Sequence, residues 1–100
     1  SSAMTISAIS LYRGGTIDEV TPVAKRLKAA YSKLGVGYRL SRFQTGPNAG
    51  DWFVVVTYAS ETADETAQAI TRDSDCQQAF AEIARFAKRI SRELVDDLDL

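Results

Sequence analysis

The segment Asp51–Ala59 (DWFVVVTYA) constrains the fold more than any other stretch of the chain. As a β-strand it sends Trp52, Val54, Val56 and Tyr58 to one side and Phe53, Val55, Thr57 and Ala59 to the other, because side chains alternate along an extended backbone. Both rows are apolar or aromatic. An antiparallel sheet with one face in water shows polar alternation instead, so this strand is expected to be central and dry front and back. A chain of 100 residues can cover only one of those faces with its own helices. Leaving four large side chains wet forgoes roughly 1.5–3 kcal/mol each, and such a patch marks an interface. A two-fold homodimer, sheet face against sheet face, is the most economical cover.

The remaining segments place this strand third of four. Thr5–Arg13 (TISAISLYR) is rich in β-branched and aromatic residues and stops at Gly14-Gly15, as a strand does. Ile9 and Leu11 share one of its faces, and Ile6, Ala8 and Tyr12 the other. Over Ile17–Leu34 the residues Val20, Val23, Ala24, Leu27, Tyr31 and Leu34 form one helical stripe, and Gly35 closes it. Thr16-x-x-Glu19 has the form of a capping box, but Pro22 lacks a donor, so the regular helix is expected to begin near Glu19. Val36–Phe43 alternates as a second strand, with Arg39 and Arg42 on opposite faces, and Gln44–Gly50 (QTGPNAG) turns the chain into the third.

Thr62-x-x-Glu65 reads as a second capping box, opening a short helix through Thr71. A longer helix is expected over Ser74–Lys88, burying Cys76, Phe80, Ile83, Ala84 and Ala87. Ile90–Leu100 reads as a fourth strand, although Ile90 and Leu94 also continue the helical stripe from Phe80. The order βαββααβ, in one domain spanning residues 1–100, predicts an α+β, ferredoxin-like sandwich. Its four-stranded antiparallel sheet carries both helical layers on one face. Ser1-Ser2-Ala3 ahead of Met4 reads as a cloning remnant.

Composition narrows the function classes. A net charge of −1 gives no basic field for nucleic acid, and the stretches Lys25–Lys28 and Arg85–Arg92 read as solvated helix faces. With no His, the chain lacks Ser-His-Asp and Cys-His catalysis, proximal-His haem ligation and ordinary zinc sites. Asp96, Asp97 and Asp99 lack the spacing of a calcium loop and read as an acidic, solvated terminus. No metal and no cofactor is therefore expected. Cys76 lies near Asp73 and Asp75, whose charges raise a thiol pKa, so it reads as a buried residue rather than a nucleophile. One unpaired cysteine fits a reducing compartment, the cytoplasm. The longest apolar run, Trp52–Val56, is far below the roughly 18 residues of a membrane span, and the first residues lack the features of a signal peptide.

Four features carry a family resemblance. They are Arg13-Gly14-Gly15 after the first strand, Lys33-Leu34-Gly35 after the first helix, the Gly46…Gly50 hairpin before a Trp/Val-rich strand, and the step Arg72-Asp73-Ser74. In these the chain resembles the dimeric α/β-barrel superfamily, in its NIPSNAP-like and antibiotic-biosynthesis-monooxygenase-like branches. The resemblance implies a homodimer and one of several activities: cofactor-independent monooxygenase, haem-handling enzyme, muconolactone-isomerase-like enzyme, or none known. Haem-handling members typically use a His, which this chain lacks.

In such a fold a pocket between sheet and helices is the natural binding site. The strand residues Tyr12, Arg39, Arg42, Trp52 and Tyr58 are the candidates to line it. An oxygenase without a cofactor needs a substrate that itself forms a carbanion, and the protein then supplies aromatic walls and Arg or Tyr donors to a phenolate or enolate. Each candidate also has a structural reading. That reading is the heavier one: Trp52 and Tyr58 as core or interface aromatics, Tyr31 as core, and Arg39 and Arg42 as charges that guard an edge strand. The reading is thus a monooxygenase or isomerase-like enzyme acting on a small aromatic compound, or a non-catalytic ligand-binding or assembly module of the same fold. A cavity holding an Arg or Tyr without an internal partner separates the two.

Overall fold

A computed structural model describes residues 4–100, so the reading of Ser1-Ser2-Ala3 lies outside the described residues. The elements are β1 (Thr5–Arg13), α1 (Ile17–Lys33), β2 (Gly37–Arg42), β3 (Trp52–Ala59), a 3-10 turn (Ser60–Thr62), α2 (Ala63–Arg72), α3 (Ser74–Ile83) and β4 (Lys88–Asp97). The strands form one antiparallel sheet in the order β2-β3-β1-β4, with β1 and β3 central. This is the α+β, ferredoxin-like arrangement, and the C-terminal strand begins at Lys88, earlier than Ile90, and ends at Asp97, leaving Leu98–Leu100 outside it.

Register assigns the faces. Tyr12 lies opposite Trp52, Ser10 opposite Val54, Ala8 opposite Val56 and Ile6 opposite Tyr58, all on the helix-covered side. There Trp52, Val54, Val56 and Tyr58 are buried, and the core beneath the helices is sealed by Val23, Leu27, Cys76 and Ala79. The other side carries Ile9, Leu11, Phe53 and Val55, half-buried in a single chain. Phe43 meets Phe53 there edge to face, ring centres 5.7 Å apart, and Arg39 stands opposite Val55. So β3 is dry on its helix side only; one chain leaves its second face partly open.

Local boundaries also depart from expectation in four other places. First, α1 begins at Ile17 rather than near Glu19. The capping box forms in full: Glu19 N–H donates to the Thr16 hydroxyl at 3.2 Å, and Thr16 N–H to the Glu19 carboxylate at 2.9 Å. Two satisfied cap groups offset the one backbone bond that Pro22 cannot make. Second, Thr62 makes no side-chain cap, because the 3-10 turn precedes α2. The cap falls instead on Asp73, whose carboxylate accepts from Cys76 N–H at 2.9 Å, opens α3 and is held below its ordinary pKa by that bond.

Third, α3 ends at Ile83 instead of Lys88. Ala84 is consequently exposed, while Phe86 and Ala87 turn inward. The stripe was long enough for a helix, but Lys88 must be extended to pair with Arg13 at the end of β1. Arg85–Arg92 is therefore a turn and a strand, not a helix face. Fourth, Asp97 is no free terminal carboxylate. It accepts from the hydroxyls of Thr5 at 2.5 Å and Ser7 at 2.7 Å, which hold it below the usual carboxylate range.

Candidate functional site

Between the sheet and the helices lies a cavity of about 400 Å3. Its floor is the helix-side row of the sheet, including Ala8, Ser10, Val54 and Val56, and its roof comes from Leu27, Ile70, Phe80 and Ile83. All four tyrosines of the chain line it: Tyr12 from β1, Tyr31 from α1, Tyr38 from β2 and Tyr58 from β3. Tyr31 meets Tyr38 edge to face at 5.4 Å and Phe80 at 6.5 Å. None of the four hydroxyls makes a hydrogen bond among the described residues, and none is shut off from accessible space. Burial, and secondarily the neighbouring phenols, pushes Tyr31 above its ordinary pKa, and burial with Tyr12 pushes Tyr38 up to about 12. At neutral pH these two phenols are uncharged donors.

Of the candidates named from sequence, Tyr12, Trp52 and Tyr58 line the cavity. Trp52 is fixed at both ends. Its indole N–H donates to the Gly14 carbonyl at 3.0 Å, and the Arg42 guanidinium lies 5.2 Å from its ring centre. Arg42 itself stays outside the cavity, its Nε donating to the Gly50 carbonyl at 3.3 Å. Arg39 points to the opposite side of the sheet. The cavity's cations are Arg89 and Arg92 on β4, which the sequence reading passed over. Tyr31 and Tyr38 were also passed over as site residues, since a helical stripe and an alternating strand look the same whether they fill a core or line a void.

Arg13 is engaged elsewhere, in a two-point pair with buried Asp51 (Nε to Oδ1 3.1 Å, Nη2 to Oδ2 3.0 Å) that raises its pKa. Cys76 is fully buried. Burial, with Asp73 and then Asp75, lifts its thiol from 9.0 to about 12, so it supplies no nucleophile. Among the described residues no group of acids and thiols could hold a metal ion, and no helix is long and apolar enough to cross a membrane.

Alkaline pH should expose this burial. Cys76 rises from 9.0 and Tyr38 from 10.0, each to about 12. The native state thus keeps protons that the unfolded chain has lost, and stability falls as pH climbs through that window. The urea midpoint is expected to hold level to about pH 8 and then decline, and Cys76→Ala to delay the onset. A midpoint unchanged between about pH 8 and 11 would show that these groups are not shielded.

No protein-family model matches the chain, and neither does any curated protein. Solved structures that share its fold include two proteins of unknown function. One is a conserved protein of unknown function from Bacteroides thetaiotaomicron, described as a possible oxidoreductase; it superposes with a TM-score of 0.66 at 16% identity, over 96% of this chain and 100% of that one. The other is a dimeric ferredoxin-like protein of unknown function from Thermobifida fusca, with a TM-score of 0.59 at 24% identity, over 95% of this chain and 91% of that one. The second likeness, together with the strand order and helix placement, establishes a ferredoxin-like fold for this chain.

Proposed function

We propose that this chain, a single cytoplasmic domain, is a homodimeric α/β-barrel enzyme of the monooxygenase-like kind. It holds a small phenolic or enolic aromatic between sheet and helices as its anion, and the anion reacts with O2 without a cofactor. The observation that carries this reading is a lining rich in donors: four tyrosine hydroxyls without a hydrogen bond among the described residues, two arginines, and no carboxylate. Preorganised donors of this kind stabilise charge that develops on a substrate oxygen. The electrons come from the substrate itself. A CH2 group beside the ring adds O2 at its carbanion, and loss of water leaves a carbonyl, so that CH2 and O2 become C=O and H2O.

The isomerase-like reading needs a group that takes a proton from carbon and returns it elsewhere, whereas the oxygenase reading needs none where the substrate enters already as its anion. The shifted phenols stay protonated near neutral pH, and no acid faces the cavity. The neighbour described as a possible oxidoreductase supports the direction of the chemistry, and the dimeric neighbour supports a two-fold assembly. Half-buried Ile9, Leu11, Phe53 and Val55 supply the apolar face for that assembly.

An oxygen electrode with a panel of phenols and enols that carry a ring-adjacent CH2 group tests the proposal. Uptake of one O2 per substrate, insensitive to chelators, is expected, with Tyr12→Phe slowing turnover by about tenfold as one donor is lost. Saturable binding without uptake across the panel would instead favour a non-catalytic binding module.

A further inference from the structure

We infer that the ligand of this cavity carries a carboxylate, and that Arg89 and Arg92 receive it at the mouth. This rests on the cavity being a binding site, as proposed above. Arg92 lies opposite Ser10 on the helix side of the sheet. Strict alternation would then put Ile90 on that side and Arg89 on the other. The register between β1 and β4 slips between Leu11 and Tyr12: Leu11 faces Ser91, Tyr12 faces Arg89, and Ile90 is the residue left over. This bulge puts both residues on the cavity side, where both line it, with their backbones about 7 Å apart along the strand.

Three further facts point to an anion. Neither arginine has a hydrogen bond or ion pair among the described residues, whereas Arg13 and Arg26 are paired with Asp51 and Glu82. No carboxylate lines the cavity, and Glu93 beside Arg92 faces the opposite side, across from Ile9. The opening exists because no helix roofs β4 here: Leu94, on the helix side, stays 61% exposed. Two unpaired guanidiniums at the rim of an aromatic cavity match a planar carboxylate on an aromatic body, since the guanidinium fork fits carboxylate geometry.

The test is a titration with 2-naphthoate and with its methyl ester, followed by the fluorescence of Trp52, the single tryptophan, and by calorimetry. The acid is expected to bind about tenfold more tightly than the ester, and Arg89→Gln and Arg92→Gln each to weaken the acid by about tenfold. Ester affinity should be unchanged in both variants, which also reports that the cavity is intact. Equal binding of acid and ester to the unmodified protein would overturn the carboxylate assignment while leaving the binding site standing. Binding of neither would overturn the site and the assignment together.

Discussion

Val55→Asp is expected to leave the fold standing and to split the proposed sheet-to-sheet dimer, while Val54→Asp, its immediate neighbour, is expected to unfold the chain. The difference lies in the faces of β3. Val54 is buried beneath the helices, and its cross-strand neighbours are Ser10 and Leu40, neither of which supplies a cation. The cation on that face, Arg92, stands two strands away beyond Ser10, so a carboxylate forced there without an adjacent partner costs about 3–5 kcal/mol, a large share of the 5–15 kcal/mol typical of a domain. Val55 lies between Ile9 and Arg39 on the open face. In a lone protomer an aspartate there stands directly across from Arg39, a favourable cross-strand pair worth up to about 1 kcal/mol. In a sheet-to-sheet dimer it is buried against the apolar row of the partner. Sedimentation velocity and urea unfolding together separate the two effects. A Val55→Asp protein that sediments as a dimer would move the interface off this face.

The fold was legible because its strongest signals are periodic and redundant. β1 occupies the very span read from its β-branched run, and the face count along β3 separates the two rows correctly, although it is the pairing and packing that decide which of them meets the helices. The misjudged boundaries were decided by distant partners. Thr16 and Glu19 outweigh Pro22 through two cap bonds whose geometry a sequence does not display. The end of α3 is set by the demand that Lys88 pair with Arg13. The site was legible where strand parity alone decides, at Tyr12, Trp52 and Tyr58. Arg42 has the parity of the cavity side but is held at the edge by Trp52 and the Gly50 carbonyl. Arg89 could not be read at all. Its direction depends on a bulge, and a bulge belongs to the pairing of two strands rather than to either one.

Gly14→Ala is expected to cost about 3 kcal/mol or more and to loosen the cavity wall, whereas Gly35→Ala is expected to cost about 1 kcal/mol and leave the wall intact. Both glycines have positive φ, +101° and +76°, so both variants carry backbone strain. They differ in surroundings. A Cβ on Gly35 meets nothing within 4 Å, but on Gly14 it comes within 2.5 Å of the Phe86 carbonyl oxygen and 3.3 Å of the Ala87 Cα. Those are backbone atoms of the turn that leads into β4, so relief requires moving the strand that carries Arg89 and Arg92. The Gly14 carbonyl also accepts the Trp52 indole N–H, and Phe86 itself lines the cavity. Displacement at this one point thus reaches the wall, the roof and the cationic mouth. Urea unfolding gives the energetic difference between the two variants. Trp52 emission and naphthoate affinity, both altered in Gly14→Ala and unaltered in Gly35→Ala, give the local one. Equal stability and unchanged emission in the two would mean that the turn before β4 is free to shift, and that it does not hold the mouth of the cavity in place.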